Sequence, residues 1–286
     1  MKDLTQFPDY TLILVDGMNY AFRSYYGLKE LEWQGKPTGM LYGIARYVFG
    51  LQKLYPQARI IFLWEGAQLR RKAMCVEYKS SRNKKDSTLL QCLYDVQKFL
   101  EYAGVDQMRH LGLEADDMAG YLISKSTEND KILLVTMDED WFQFMLPGRV
   151  SIQRGTMVET FDELKESLEF PPNRMYMLKV LKGGHDDLPG VPGLPLKVVK
   201  VLAQNCDSYK DIRTYPLHKS KPEWVRWEIA ILDNWDVIEQ NALLSMFHPE
   251  WINESQIVCV TGKRDNAELV KLLEMNGIRK FNVELT

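Results

Sequence analysis

The sequence predicts an α/β fold, a mostly parallel central sheet flanked by helices and followed by a helical region, and three observations predict it. Residues 12–15, 60–64 and 132–137 are short, continuous apolar runs, the pattern of strands buried on both faces. Between the first two lies GMLYGIARYVFGLQKL, whose apolar residues recur at helical spacing, so strand, helix and strand form a βαβ unit. The runs also end on, or lead into, acids: TLILVD reaches Asp16, IIFLWE reaches Glu65, and ILLVTMDED carries Asp138 and Asp140.

The alternation continues along the chain. A helix is expected near 87–103, a short strand near 105–109, a helix beginning at Glu114 and the buried strand at 132–137. After about residue 175 the texture changes to GGHDDLPGVPGLPLKVVKVL, a Gly and Pro cluster feeding an amphipathic helix. The stretch around 207–224 is polar, and 225–245 and 267–277 read as helices. A domain boundary is expected near 175, dividing the chain into 1–175 and 176–286.

At 286 residues, with 45% apolar and 26% charged, the composition is that of a soluble globular chain with room for two domains. Cys75, Cys92, Cys206 and Cys259 are scattered without a CxxC pair, and there are four histidines, which supports neither a zinc site nor a disulfide framework. A reducing compartment is expected. The N-terminus MKDLTQFPDY lacks the apolar stretch of a signal peptide, and no run approaches the roughly 20 apolar residues of a membrane span. The expectation is a cytoplasmic protein with no membrane partner.

Ligands of open α/β sheets bind outside the carboxyl ends of the strands, where Asp16, Glu65 and Asp138 stand. GLEADD adds Glu114, Asp116 and Asp117. Acids also punctuate turns and cap helices, but seven carboxylates gathered in one crevice repel by several kcal/mol unless cations neutralise them or some stay protonated. Oxygen-only ligands suit Mg²⁺ or Mn²⁺, so the pattern points to divalent-metal phosphate chemistry.

The net charge of -3 hides a basic segment, RRKAMCVEYKSSRNKKD, with Arg70, Arg71, Lys72, Lys79, Arg82, Lys84 and Lys85 against Glu77 and Asp86. Such a run suits a phosphate backbone through counterion release, and it also suits a solvated helix face. Tyr78 within it could stack on an unpaired base or simply pack.

Together these residues resemble the flap endonuclease and 5′ to 3′ exonuclease family, particularly its bacteriophage members, from about Leu12 to Lys200. VDGMNYAFR is similar to the first motif, with Asp16 and Arg23. EGAQLRRKAMCVEYKSSR resembles the second, ending in Tyr78, Lys79 and Arg82. GLEADDMAGYL and VTMDEDWFQF resemble the third and fourth, and LPGVPGLPLK resembles the helix-three-turn-helix that grips a duplex backbone, often with a bound potassium ion.

The resemblance implies a PIN-like nuclease domain over 1–175, with a basic helical arch near 66–103, and a helical DNA-binding domain over 176–286 with its hairpin near 183–203. It implies one or two Mg²⁺ or Mn²⁺ ions on Asp16, Glu65, Glu114, Asp116, Asp117, Asp138, Asp140 and Asp186. Lys79, Arg82 and Arg23 are the implied catalytic cations. Arg70, Arg71, Lys72, Tyr78, Lys84, Lys85, Gly190, Val191, Gly193 and Lys197 are the implied DNA contacts. The implied substrate is DNA with a 5′ flap, nick or single-strand tail, or an RNA primer on DNA, cut by a monomer working beside replication partners in the host cytoplasm.

The chain departs from the family at three places. The second acid is Glu65 where Asp is usual. The hairpin entrance, usually Gly-Asp-x-x-Asp-Asn, puts its first Asp at Gly183, its second at Asp186, and Asp187 where Asn is usual, with His185 between them. Pro195 stands in the hairpin, where it offers no amide hydrogen to a phosphate. A complete first ion position from Asp16, Glu65, Glu114, Asp116 and Asp138 is therefore expected beside a weakened second one from Asp140, Asp186 and Asp117, with slower or Mn²⁺-favouring cleavage.

Two other readings stay open on sequence. One is a junction-DNA-binding homologue with weakened catalysis, which Gly183 favours and the retained acids oppose. The other is a different acid-based enzyme, a PIN-type ribonuclease or a phosphatase using Asp138 and Asp140. The ribonuclease gives no reason for the Pro-Gly hairpin, and the phosphatase normally carries its Asp pair after the first strand.

Overall fold

The three apolar runs do become strands, and the acids stand at their carboxyl ends. In the computed structural model, which describes residues 9–75, 78, 87–184 and 188–279, β1 (Leu12–Asp16) leads directly into α1 (Gly17–Gly27). A small hairpin, β2 (Glu32–Trp33) and β3 (Lys36–Pro37), precedes α2 (Gly39–Leu54) and β4 (Arg59–Trp64). Next come α3 (Leu69–Met74), α4 (Ser87–Tyr102), β5 (Asp106–His110), α5 (Ala115–Lys125) and β6 (Ile132–Val135). A 3-10 turn at Glu139–Phe144 leads to β7 (Val150–Arg154), β8 (Met157–Glu159), α6 (Phe161–Leu168) and α7 (Tyr176–Lys182). The chain continues through α8 (Leu196–Asn205), α9 (Leu217–Ser220), α10 (Val225–Asp233), α11 (Trp235–Ser245), β9 (Ile257–Val260) and α12 (Asn266–Met275).

The main sheet has the order β8-β7-β6-β1-β4-β5-β9. Its interior pairs are parallel, as crossover connections require, while β8 and β9 run antiparallel at the edges. Because successive side chains point to opposite faces, each central strand feeds two cores. Leu14, Ile61, Leu63, Ile132 and Leu134 pack with α5, α7, α8 and α11 on one face. Ile13, Val15, Ile60, Phe62, Trp64, Leu133 and Val135 pack with α1, α2, α4 and α12 on the other. This two-sided burial is why these strands read as unbroken apolar runs.

Three features differ from the expectation. The single helix expected over 225–245 is two, α10 and α11, because Asn234 turns its side-chain amide onto the Ala230 carbonyl and closes the first. The β7–β8 hairpin turns at Gly155, where φ is +66°, a conformation glycine adopts without strain. The region after 175, expected to be mostly helical, sends β9 back to the sheet, pairing Gln107 with Val260 and His110 with Ile257. Three of its four residues are exposed, which hides it from a search for buried runs. Among the described residues, no helix is long and apolar enough to cross a membrane.

The β1–α1 junction sets the position of Asp16, and it is tight. A Cβ on Gly17 would lie 2.7 Å from the Trp64 ring and 2.8 Å from the Leu63 carbonyl oxygen. Gly17→Ala is therefore expected to destabilise the protein by about 1–3 kcal/mol, the usual cost of overpacking. Urea denaturation checks this, and an unchanged midpoint would show that the junction can open without cost.

Candidate metal centre

Acids converge above the carboxyl ends of β1, β4 and β6. Asp16, the last residue of β1, is also the N-cap of α1: its Oδ1 accepts the Asn19 amide at 3.0 Å. Its Oδ2 accepts the buried Thr136 hydroxyl, just past β6, at 3.0 Å. Burial pushes the Asp16 carboxyl up to about 7, against these two hydrogen bonds, and repulsion from Asp138 and Glu65 adds to the rise. Asp138 is exposed and caps the following 3-10 turn, its Oδ1 accepting the Asp140 amide. Asn19 belongs to the first motif that the sequence shares with the family, whereas Thr136 was not anticipated; its signal is position, one residue beyond a buried strand.

The second group of acids opens α5. Glu114 is its N-cap and Asp117 completes the capping box, with the Glu114 amide donating to Asp117 Oδ2 at 3.1 Å. Glu114, Asp116 and Asp117 present oxygens within 4.8 Å of one another. Residues 66–69 run beside 111–113, the Gly66 amide donating to the Leu113 carbonyl and the Ala67 amide to Leu111. This pairing carries the chain from Glu65, at the end of β4, alongside Glu114. Gln68 donates to Glu114 Oε1 at 2.9 Å from a left-handed backbone with φ of 55°.

Into this group comes Arg71, which is only 2% exposed. Its Nη1 donates to Glu114 Oε2 at 2.8 Å and to Asp117 Oδ2 at 2.6 Å, and its Nη2 donates to Asp117 Oδ1 at 2.8 Å. Its Nε donates to the Leu244 carbonyl of α11. Tyr78, also buried, donates to Glu114 Oε2 at 3.0 Å and packs with Leu188 and Leu244. Both residues were expected to touch DNA; the structure corrects this, because each is spent on the acids inside the protein. A basic run does not reveal which of its members turns inward.

Other expected positions divide. Arg70 and Lys72 are exposed on α3, Arg70 lying over the Trp251 ring. Arg23 is exposed on α1 and lines a cavity of about 520 Å³ with Tyr20, Arg46, Tyr47 and Gln153. Gly193, in the connection between α7 and α8, and Lys197, in the first turn of α8, are exposed. Val191 is corrected as a DNA contact: its side chain is buried in the core and its amide donates to the Leu181 carbonyl. Lys182 places its ammonium on the Leu194 carbonyl at 2.9 Å. Lys79, Arg82, Lys84, Lys85 and Asp186 lie outside the described residues.

Two expected ligands of the second ion position are engaged by cations. Asp117 spans the guanidinium fork of Arg71, and Asp140 forms an ion pair with Lys179 of α7. Glu114, whose oxygens accept from Gln68, Arg71 and Tyr78, lies with Asp116 and Asp117 in one group, while Asp16 has Asp138 and Glu65 as acidic neighbours. Oxygen-only groups of this kind suit a hard divalent cation.

A family model described as the 5′-3′ exonuclease, N-terminal resolvase-like domain, matches residues 11–169. The 5′-3′ exonuclease of Buchnera aphidicola subsp. Schizaphis graminum is 28% identical over 208 residues, 70% of this chain and 72% of its own length. Among solved structures, the T5 5′-exonuclease with bound zinc superposes with a TM-score of 0.65 at 20% identity, covering 84% of this chain and 90% of that one. The catalytic core of Rad2 in complex with a DNA substrate gives 0.60 at 17% identity, covering 94% and 88%. At these identities the two structures establish a shared fold.

Asp16 titrates near 3.9 in an unfolded chain but near 7 when folded. Between those values the folded protein holds a proton that the unfolded chain has released, so metal-free protein loses stability as pH rises from about 4 to about 7. The loss is a few kcal/mol, at about 1.4 kcal/mol per unit. Asp16→Asn, which cannot ionise, flattens this part of the pH profile of denaturation in EDTA; an unaltered slope would assign the effect to other groups. Arg71→Met leaves Glu114 and Asp117 buried without their cation, and a cost of about 3–5 kcal/mol is expected. A loss below about 1 kcal/mol, typical of exposed pairs, would show that water reaches the site.

Proposed function

Because the chain belongs to the 5′-3′ exonuclease family through its N-terminal resolvase-like domain, we propose that it is a divalent-metal-dependent 5′ nuclease. On this reading it hydrolyses phosphodiester bonds near the 5′ end of DNA at flaps, nicks and single-stranded tails, or in RNA primers on DNA, during replication or repair. The observation that carries the reading is the convergence of acids from β1, the end of β4, the start of α5 and the turn after β6 on one side of the sheet. A pure binding module has no use for acids that repel one another.

Asp16, Glu65, Glu114, Asp116 and Asp138 would hold Mg²⁺ or Mn²⁺, which when bound neutralises charge on the scissile phosphate and lowers the pKa of a nucleophilic water. The protein's own part is orientation. Thr136 and Asn19 fix both oxygens of Asp16, while Gln68, Arg71 and Tyr78 fix Glu114. Lys79 and Arg82, by the family resemblance, act on charge that develops at the phosphate. Such groups act most strongly in a preorganised, water-poor site.

Backbone contacts fall to groups that solvent can reach. Arg70 and Lys72 are exposed on either side of Arg71, and exposed Gly193 and Lys197 mark the connection between α7 and α8 and the first turn of α8. These exposed groups suit a surface that grips a substrate, although the chain does not divide cleanly at 175, since β9 joins the main sheet and α12 packs against α4. A potassium ion in the hairpin is not part of the proposal, since the Lys182 ammonium already satisfies the Leu194 carbonyl.

The test is incubation of the purified protein with a labelled 5′-flap duplex, with Mg²⁺, with Mn²⁺ and with EDTA. Cleavage near the flap junction is expected in either metal and none in EDTA, and Asp16→Asn should lower the rate by at least about 100-fold, on the order of 2.7 kcal/mol of barrier. Binding without cutting in both metals would overturn the proposal.

A further inference from the structure

We propose that this nuclease holds a single divalent ion and that the ammonium of Lys179 stands in for a second one at Asp140. The inference rests on the acid centre proposed above, and it concerns how the charge of that centre is neutralised. Acids beyond the Asp16 set need positive charge from somewhere, and the structure supplies it from the protein. Arg71 covers Asp117 with a two-bonded fork, and Lys179 pairs with Asp140. Both members of the second pair are largely buried, with side chains 20% and 24% exposed. An ion pair there is screened less than one at the surface.

The glycines at the end of α7 explain why a lysine rather than an acid serves this position. Gly183 has φ of +72°, and a Cβ there would lie 2.2 Å from the Leu188 carbonyl oxygen and 2.8 Å from the Gly190 amide nitrogen. The backbone that closes the hairpin therefore excludes any side chain at 183, including the aspartate that family members carry there. At Gly184 a Cβ would press on the Lys179 stem, 3.3 Å from both its Cγ and its Cε. Gly183 gives up an acid, Gly184 leaves room for the lysine stem, and Lys179 lies one helical turn before Gly183 with its ammonium on Asp140. Loss of a ligand and gain of a fixed cation are thus one local solution.

The geometry also sets the chemistry of the exchange. An ammonium is monovalent, and its three N–H donors let it bond more than one acceptor, of which the Asp140 carboxylate is one here. A second Mn²⁺ would have to displace it, and at a separation of about 4 Å a divalent ion beside a retained ammonium is disfavoured by several kcal/mol even at an effective dielectric constant of 20.

Counting bound Mn²⁺ by equilibrium dialysis and electron paramagnetic resonance, without nucleic acid, tests this independently of cleavage. The parent chain is expected to bind one ion. Lys179→Met should gain a second, with an affinity at least about tenfold above any second binding in the parent, while Lys179→Arg should stay at one. Denaturation curves of each variant establish that the folded chain is being counted. Two ions in the parent, or a Lys179→Met count that stays at one, would overturn the inference. A chain that binds one ion and cuts no substrate would leave it standing and remove the nuclease reading instead.

Discussion

The buried guanidinium of Arg71 is the interaction on which the rest of the centre depends. It joins three parts of the chain that are distant in sequence: α3, the capping residues of α5 and the end of α11. Desolvation of a charged group is costly, and a buried ion pair is seldom a better source of stability than apolar packing. Its value here is specificity. With Arg71 in place, the carboxylates of Glu114 and Asp117 are bonded and held in orientation; without it, two buried acids at a helix start face each other without their shared cation. The C-terminal helices are held against the acids by the same side chain, through the Leu244 carbonyl.

That coupling makes the region after residue 175 part of the centre as well as of any grip on a substrate. Asn241 of α11 donates to the carbonyls of Val180 and Pro189, at 3.1 and 2.7 Å, tying the hairpin between α7 and α8 to the helix that Arg71 anchors. Tyr78 packs on Leu188 and Leu244 while bonding Glu114. A displacement of the hairpin by a bound duplex would therefore be felt at Glu114 through short, direct contacts, with no long pathway required.

Most of the sheet could be read from sequence because its strands are buried on both faces, and a continuous apolar run of that length between turn residues suits little else than a central strand. Ile13, Phe62 and Leu133 sit where periodicity places them, and the acids that follow mark the carboxyl ends. The edge strands are hidden for the converse reason: three of the four residues of β9 are exposed, and β8 is three residues long. Among site residues, the acids were legible as a pattern of types at strand ends. Arg71, Tyr78 and Lys179 were not, since a cation near acids in space carries no mark in a linear string. Direction is the missing quantity, and it is decided by which helix face packs inward.

The acids that looked alike in sequence end in different electrostatic states. Asp117 and Asp140 have cations of the protein's own, so their charge is neutralised whether or not an ion is present. Asp16 has two hydrogen bonds, no cationic partner among the described residues, and a carboxyl pushed up to about 7 by its burial and by its neighbours. The protein thus concentrates its unrelieved negative charge on the Asp16 side and quenches it on the Asp140 side. A divalent ion gains most where repulsion is unrelieved, because there it removes both a desolvated charge and its neighbours' opposition. Lys179 therefore disfavours an external cation at Asp140, while Arg71 holds Glu114 and Asp117 in place beside the Asp16 side, where such a cation is proposed to bind.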